Sequence, residues 1–382
     1  MKNSSNKNKI ICTIISHTPY AKNKNGELVG LGPTVEEIDH ISTLFSQIYH
    51  FAPIYKTKPP KSYVKHRKSN IKIIPMIPVG GDSFFNKLKH VFFFPLQMLR
   101  LRRFLKETEI IHFRAPTGFG LLFLPWAYIF WKKKIWIKYA GSWDSNNVPI
   151  TYKLQRWILL RFSKNSIITI NKSTKKLGNN FFNFFNPCFE KKIIRINRGL
   201  VNRKDFNNGL NIVFVGRVEE SKGVDDLFTI FQKLGKIENI KSVKIVGESK
   251  KMEFYEEQAR NSSSKISILG PLNRKDIFKI YSNSHILILL SKSEGFPKVI
   301  MEAGVFGCVP IVSNFPGVTE TINHGSEGFI MDSYKNIYNH NDFKLIFENP
   351  NTLKICSMNI FKKSYSFTYE KYLQNIENAI LH

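Results

Sequence analysis

Two carboxylates with seven residues between them, Glu294 and Glu302, bracket the stretch Glu294-Gly295-Phe296-Pro297-Lys298-Val299-Ile300-Met301-Glu302, with Lys298 near its middle. Pro297 suits the first position of a helix, which makes Glu294-Gly295-Phe296 a loop and places Glu302 within the helix. A cation in a first helical turn opposes the positive end of the helix dipole by a few tenths to about 1 kcal/mol, unless a bound anion reverses the sign. Free amides at a helix start suit such an anion. The same anomaly recurs upstream in Gly216-Arg217-Val218-Glu219-Glu220-Ser221-Lys222-Gly223, where Ser221 resembles a helix cap and Lys222 stands at the helix start. Arg217 can grip phosphate oxygens as a bidentate fork, whereas Lys222 acts as a point charge. Each basic residue alone reads as a solvated surface charge, and Glu294 alone as a neighbour of a helix cap. Together the three cations suggest a diphosphate.

These residues need strands to carry them. Short apolar runs at 211–216 (NIVFVG), 242–247 (SVKIVG), 285–290 (HILILL) and 309–314 (VPIVSN) have the near-continuous hydrophobicity of parallel strands covered on both faces. Between them lie helical patterns such as VDDLFTIFQKL and RKDIFKIYSNS. The first half repeats the theme, with strands expected at 10–16, 109–116, 134–141 and 166–171 and a glycine-containing loop around Gly30 and Gly32. Thr34 and Glu37 have capping-box spacing for the helix that follows. The fold class is therefore α/β, with two doubly wound sheets joined near residues 195–209 and one cleft. The expected domains are 1–198 and 199–364, with a terminal helix at 365–382 packing back on the first. In such sheets ligands bind beyond the carboxyl ends of the strands, and Glu294 follows one of those ends.

Composition bounds the rest. The 382 residues suffice for two α/β cores, and 42% hydrophobic with 23% charged residues fits a folded chain. The four cysteines, Cys12, Cys188, Cys308 and Cys356, form no C-x-x-C pair, so neither a disulfide framework nor a zinc site is indicated. No apolar run reaches membrane-span length and no signal core follows the start, so a cytoplasmic location is expected. Residues 1–200 carry 34 Lys and Arg against 9 Asp and Glu, while the remainder carries 23 against 20. The basic first half calls for an anionic partner surface: lipid head groups, a pyrophosphate-bearing acceptor, or nucleic acid.

The residues quoted above also carry a resemblance. The sequence resembles glycosyltransferase family 4, whose members have the GT-B architecture of two Rossmann-like domains. GRVEESKG is similar to that family's Gly-Arg…Lys-Gly element, and EGFPKVIME to its two acids spaced by seven residues. The similarity covers most of residues 200–335 and is looser before them. It implies that Gly216, Arg217 and Lys222 hold the diphosphate of a nucleotide-sugar, that Glu294 contacts hydroxyls of the donor sugar, and that Glu302 contacts the ribose. Backbone amides around Gly295, Phe296, Pro297, Lys298 and Val299 would complete the cradle, with Gly270 and Pro271 bordering the base. Gly30 and Gly32 resemble the first-domain loop that faces the phosphates, although a simple turn accounts for them equally well. The family's histidine near the sugar has no counterpart, because Ala140-Gly141 stand in its place. His112 and His17 are not obvious replacements.

The resemblance further implies retention of anomeric configuration, with Arg217, Lys222 and Glu294 as the catalytic set and a phosphate oxygen able to take the acceptor's proton. No D-x-D pair occurs, so neither metal nor cofactor is expected. The stretches FFNKLKHVFFFPLQMLRLRRFLKE (84–107) and WAYIFWKKKIWIKY interleave aromatic and basic residues, as an interfacial surface on anionic lipid would. Core elements with basic exposed faces are the plainer account. The expectation is peripheral attachment to the inner face of the cell membrane and a lipid-linked or lipopolysaccharide-type glycan acceptor. Two other classes stay open: a GT-B relative acting as a nucleotide-sugar epimerase or phosphorylase, and a basic nucleic-acid-binding protein. For the last, no zinc-finger, RRM-like or basic-zipper signature is present, and no nucleic-acid partner is expected.

Overall fold

The computed structural model describes residues 10–381 apart from 61, 80–83, 142, 145–147, 164, 172, 174–176, 235–238, 263–264, 293, 295, 316–317 and 335–336. The chain divides into two compact units. One runs up to Phe185 and includes the residues from Leu373 onward; the other is Asn186–Tyr372. The division precedes the helix Lys191–Arg203, whereas the sequence reading put the boundary inside it, at 198. Ile194 and Val201 of that helix are fully buried, and Lys354 Nζ donates to the carbonyls of Asn202 and Lys204, so the helix belongs to the second unit.

In the first unit the strands are β1 (Ile11–Ile15), β2 (Tyr20–Lys22), β3 (Leu28–Leu31), β4 (Gln47–Tyr55), β5 (Tyr63–Val64), β6 (Ile71–Met76), β7 (Ile110–Ala115), β8 (Lys134–Tyr139), β9 (Ser166–Ile170) and β10 (Phe181–Asn183). Seven of them form a parallel run in the order β10-β9-β8-β7-β1-β4-β6, and the antiparallel β2–β3–β5 ribbon adds at β4. The chain moves outward from β1 on one side through β4 and β6, then returns to β7 on the other. The switch point therefore lies between β1 and β7. The sheet is covered by a large aliphatic and aromatic core that includes Phe113, Phe119, Phe123, Ile137 and Leu159. Lys134 Nζ, on β8, reaches the carbonyl of Ile380 at 2.6 Å and ties the terminal segment to this unit.

Two expectations fail here. The strands β4 and β6 were not anticipated, because His50, Pro53 and Pro75 interrupt their apolar runs. Glu37 closes no capping box: the helix Gly32–Ile41 begins after Leu31 with no side-chain hydrogen bond at its cap. Glu37 is instead buried and accepts from Arg114 on β7, Nη1 at 2.8 Å, and from Lys138 on β8, Nζ at 2.7 Å.

The second unit is regular. Its strands β11 (Leu210–Val215), β12 (Ile240–Val246), β13 (Ile266–Gly270), β14 (Ile286–Leu289), β15 (Val309–Ser313) and β16 (Phe329–Met331) are all parallel, in the order β13-β12-β11-β14-β15-β16. The four residues of β14 and the five of β15 are all buried, which is why they read as unbroken apolar runs. Chain order reverses between β11 and β14.

Removing the carboxylate at position 37 would take a buried anionic partner from Lys138 and from the partly buried Arg114. Breaking such a cluster by deleting one partner costs about 3–5 kcal/mol. Glu37→Ala is expected to lose stability on that scale in chemical denaturation, and a loss below about 1 kcal/mol would contradict the assignment.

Candidate functional site

The switch point of the second sheet is defined by the two loops that leave β11 and β14. After β11 the chain makes a short 3-10 turn, Glu220–Lys222, and then Gly223 at φ 74° before the helix Val224–Leu234. A β-carbon on Gly223 would lie 2.1 Å from the carbonyl oxygen of Leu290, the residue after β14. Only glycine permits this approach and this backbone conformation. The contact registers the two loops: Lys292 N donates to the carbonyl of Ser221 at 3.1 Å, and Lys292 pairs with Glu220 through their side chains. That pairing holds the Glu220 carboxyl below its usual range. Ser221 is thus no helix cap; it lies in the 3-10 turn and its hydroxyl donates to Glu219.

With the loops in register, Lys222 Nζ lies 2.6 Å from Glu294 Oε1, and both side chains are less than one-fifth exposed. Ser291 Oγ donates to the same oxygen at 2.9 Å, and Ser313 Oγ on β15 fixes Ser291 by donating to its carbonyl at 2.6 Å. Glu294 is therefore oriented by a cation and a hydroxyl rather than free. Arg217 differs. It is well exposed, and its Nη2 lies 3.1 Å from Glu219 Oε1. The sequence reading treated both cations as awaiting one anion; each has a different carboxylate.

The glycines divide unequally. Gly216 meets nothing closer than 3.3 Å at its virtual β-carbon, whereas Gly247, after β12 and at φ 153°, would clash with the Gly216 carbonyl oxygen at 1.7 Å. Beside these loops Gly223 and Gly247 are therefore sterically required where Gly216 is not, and the sequence reading named neither as such. Gly270 ends β13, two strands from β11, where its carbonyl accepts from Gly247 N at 3.0 Å; Pro271 follows it.

Beyond β14, Pro297 is the residue before the helix, at φ −77° and ψ 92°, and the helix itself is Lys298–Gly304. This corrects the expected register by one residue, because Pro297 keeps an extended ψ and the turn starts on Lys298. No side chain caps this helix start. Gly295 lies outside the described residues. The Phe296 ring stacks on Phe367, centroids 5.6 Å apart and planes at 15°, and Val299 is half-buried in the first turn. Glu302 lies on the same helix, with Oε1 3.5 Å from Nη2 of Arg274. Arg274 was not singled out in the sequence; it opens the helix Arg274–Ser282 behind the Asn273 cap, stacks over Phe278 and donates to the Cys188 carbonyl. Its position just after the Gly270-Pro271 turn was the available signal.

Gly30 and Gly32 lie in the first unit. A β-carbon on Gly30 would strike the Tyr20 ring at 2.6 Å, and one on Gly32 the Ser62 carbonyl oxygen at 2.7 Å. Gly30 is within β3, and close packing alone requires both glycines. His112 is fully buried and stacked on Trp136 at 3.6 Å, a core position. His17 stacks on His90, and burial pushes its imidazole down to about 4. A cavity of about 470 Å³ lies at the opposite, amino edge of the sheet around Lys204, Gly209, Lys241 and His285. The candidate site is located by its loop geometry.

Gly223→Ala is expected to separate the loops, at a cost of about 1–3 kcal/mol for the strained backbone alone. Chemical denaturation would read this as a lowered midpoint, and an unchanged midpoint would contradict the steric argument.

Comparison with known proteins gives this geometry a context. Residues 202–363 match the family described as glycosyl transferases group 1. An uncharacterized glycosyltransferase of Haemophilus influenzae is 26% identical over 249 residues, 61% of this chain and 65% of that protein. The chain thus spans less than two thirds of the length of that relative. Among solved structures, Anabaena Alr3699/HepE in complex with UDP superposes with a TM-score of 0.66 at 13% identity, covering 98% of this chain and 99% of that one. The apo lipopolysaccharide outer core galactosyltransferase WaaB superposes with a TM-score of 0.67 at 18% identity, covering 97% and 99%. The chain has two Rossmann-like sheets, the fold of these solved structures, and its residues 202–363 match the family glycosyl transferases group 1.

Proposed function

We propose that this chain is a retaining glycosyltransferase that moves a sugar from a nucleoside diphosphate sugar to a hydroxyl of a lipid-linked or cell-surface polysaccharide acceptor. The observation that carries the reading is the Lys222–Glu294 pair, set at the switch point by the contact of Gly223 with Leu290. Glycosyl transfer builds negative charge on the departing diphosphate while the sugar carbon becomes electron-poor. Lys222 supplies a positive charge to the first. Glu294, held by Ser291, supplies an oriented carboxylate that accepts from sugar hydroxyls and balances the second. Arg217, exposed on the same loop, exchanges Glu219 for phosphate oxygens when a donor arrives. Glu302, steadied by Arg274, is the acid for the ribose. The UDP complex of the Anabaena neighbour supports a nucleotide donor, and the group 1 domain supports the class of reaction.

Side chains supply the positive charge in this scheme, so no metal or cofactor is invoked. With a panel of nucleotide-sugars and EDTA present, the wild-type chain is expected to release nucleoside diphosphate faster when acceptor is added. Lys222→Ala is expected to lose about 10²–10³ in kcat while remaining folded. Wild-type turnover in the folded variant would refute the role, and a donor rearranged with its diphosphate intact would favour an epimerase.

The acceptor side rests on the first unit's surface. Along the helix Phe84–Glu107, Phe92 is 79% and Leu99 66% exposed, interleaved with exposed Arg100, Arg102, Arg103 and Lys106. The helix Ile150–Phe162 adds exposed Ile150, Trp157, Leu160 and Phe162 beside Lys153 and Arg161. Exposed apolar side chains among cations suit insertion at an anionic lipid surface, as the inner face of a cell membrane provides. No described helix is long and apolar enough to cross a membrane. WaaB, by its name, acts on lipopolysaccharide, which supports a membrane-bound glycan acceptor. The chain is expected to sediment with vesicles containing phosphatidylserine or phosphatidylglycerol and not with pure phosphatidylcholine. Equal recovery in both supernatants would exclude electrostatic attachment.

A further inference from the structure

The cavity of about 470 Å³ at the amino edge of the second sheet is separate from the candidate donor site, which lies at the carboxyl edge. Its volume falls within the roughly 300–1,000 Å³ of small-molecule sites. Lys204, the residue after the helix Lys191–Arg203, lines it and is only 9% exposed. Its Nζ donates to the Ser284 carbonyl and lies 3.9 Å from Cys308 Sγ. Burial pushes the Cys308 thiol up, so that neighbour stays neutral. Another cation, Lys354, stands nearby and is itself bound to the Lys204 carbonyl at 2.8 Å. Among the described residues no carboxylate pairs with Lys204, and burial holds its ammonium below the usual lysine range. A buried cation without an anion is a costly arrangement.

Two more cations stand around the same cavity. Arg203 spends its Nε on the Gly199 carbonyl at 3.2 Å. Lys241, on β12, runs its stem along Gly209, where a β-carbon would lie 2.8 Å from Lys241 Cγ and φ is 85°. Glycine alone permits that approach in that conformation. Both basic side chains are exposed, and neither has an ion-pair partner among the described residues. Burial, then Lys204 and Lys241, push the His285 imidazole down to about 4, so it is neutral, and its Nδ1 accepts from Asn211 N at 2.9 Å. The acid on the lining, Asp205, is already engaged: Oδ1 accepts from Asn207 N at 2.9 Å and Oδ2 from Asn208 Nδ2 at 2.6 Å. The lining thus carries three cations against one occupied carboxylate. Asn208 and Asn283 donate from their amides to Asp205 and to the Lys279 carbonyl, which leaves their side-chain oxygens as acceptors for hydroxyls.

We propose that this cavity binds a small phosphomonoester bearing hydroxyl groups, a sugar phosphate in chemical class, with its phosphate against Lys204, Arg203 and Lys241. The charge selects the anion. A phosphate gives the buried ammonium the partner it lacks, while the guanidinium grips terminal oxygens as a fork and Lys241 adds a point charge. The volume selects the rest of the molecule, because inorganic phosphate alone leaves most of it unfilled and Asn208 and Asn283 face that space with acceptors. Every group involved belongs to the second unit, between the end of the helix Lys191–Arg203 and the starts of β11, β12 and β14. Binding here is independent of the glycosyl-transfer reading, since Lys222 and Glu294 take no part in it.

Calorimetric titration of the full chain at low salt with glucose 1-phosphate, inorganic phosphate and glucose tests the site. Glucose 1-phosphate is expected to bind, inorganic phosphate to bind more weakly, and glucose not to bind detectably. Arg203→Ala and Lys241→Ala alter exposed side chains, and each is expected to weaken glucose 1-phosphate about tenfold, the loss of one charge-assisted contact. Lys222→Met, at the opposite edge, is expected to leave that affinity within about twofold. Lys204→Met removes the buried charge and is expected to abolish binding; should it fail to fold, the two exposed variants decide. In nitrogen-15 NMR of labelled histidines, the His285 resonances are expected to shift as glucose 1-phosphate is added. Absence of binding by the wild type, or equal affinity in Arg203→Ala, Lys241→Ala and the wild type, would overturn the proposal. Binding lost in Lys222→Met but kept in the other two variants would assign the phosphate to the carboxyl edge and overturn it as well.

Discussion

A single steric constraint organises the second unit: the chain at Gly223 lies against the Leu290 carbonyl, at a distance that no β-carbon can share. Two loops that leave different strands are thereby held edge to edge. Strand order makes them neighbours, since β11 and β14 adjoin where the chain reverses direction across the sheet. Glycine then removes the bulk that would keep them apart, and the Lys292–Ser221 backbone hydrogen bond fixes their register. The meeting of Lys222 with Glu294 follows from these facts. A salt bridge between flexible, exposed side chains contributes little on its own. Here both partners are largely buried and one is also bound by Ser291, so the loop contact positions the charges and the charges reinforce the contact.

Such an arrangement resolves the electrostatic oddity of lysines near helix starts. Lys222 belongs to a 3-10 turn and is separated from the helix Val224–Leu234 by Gly223, so it does not stand in the first helical turn. Lys298 does begin its helix, and that helix has no side-chain cap. One of the two anomalies is therefore a matter of register, and the other remains a real opposition to the helix dipole. Opposing charges held close in a partly dry loop form a site that is neutral at rest. A diphosphate entering it would exchange one carboxylate partner for another anion rather than fill an empty cationic hole.

The alternation of apolar runs with helical patterns made the second sheet legible, because strands buried on both faces carry almost nothing but Val, Ile, Leu and Phe. The first sheet was half hidden. Its central strand β4 contains His50 and Pro53, and its neighbour β6 contains Pro75, so neither has the periodicity of a strand; pairing of β4 with β1, pairing of β6 with β4, and burial decide the matter. Glu37 at capping-box spacing was misread for a similar reason: spacing reports what a side chain could reach locally, whereas the Arg114 and Lys138 side chains that claim it arrive from strands far along the sequence. The acids and cations of the candidate site were visible as residue types. Their pairing was not, because Arg217 with Glu219 and Glu302 with Arg274 depend on loop conformation and on the approach of separate helices. The glycines were the least legible, since only the folded chain distinguishes Gly223 and Gly247, which are required, from Gly216, which has room.

The claim on which the account turns is that Lys222 receives the diphosphate. Calorimetric titration of the full chain with UDP, GDP, ADP and TDP, repeated on Lys222→Met, tests it without knowledge of sugar or acceptor. The account predicts that at least one of these nucleotides binds the wild type and that the substitution weakens it about tenfold or more, the loss of one charge-assisted contact. Equal affinity in the two proteins, or no binding by the wild type to any of the four, would contradict it.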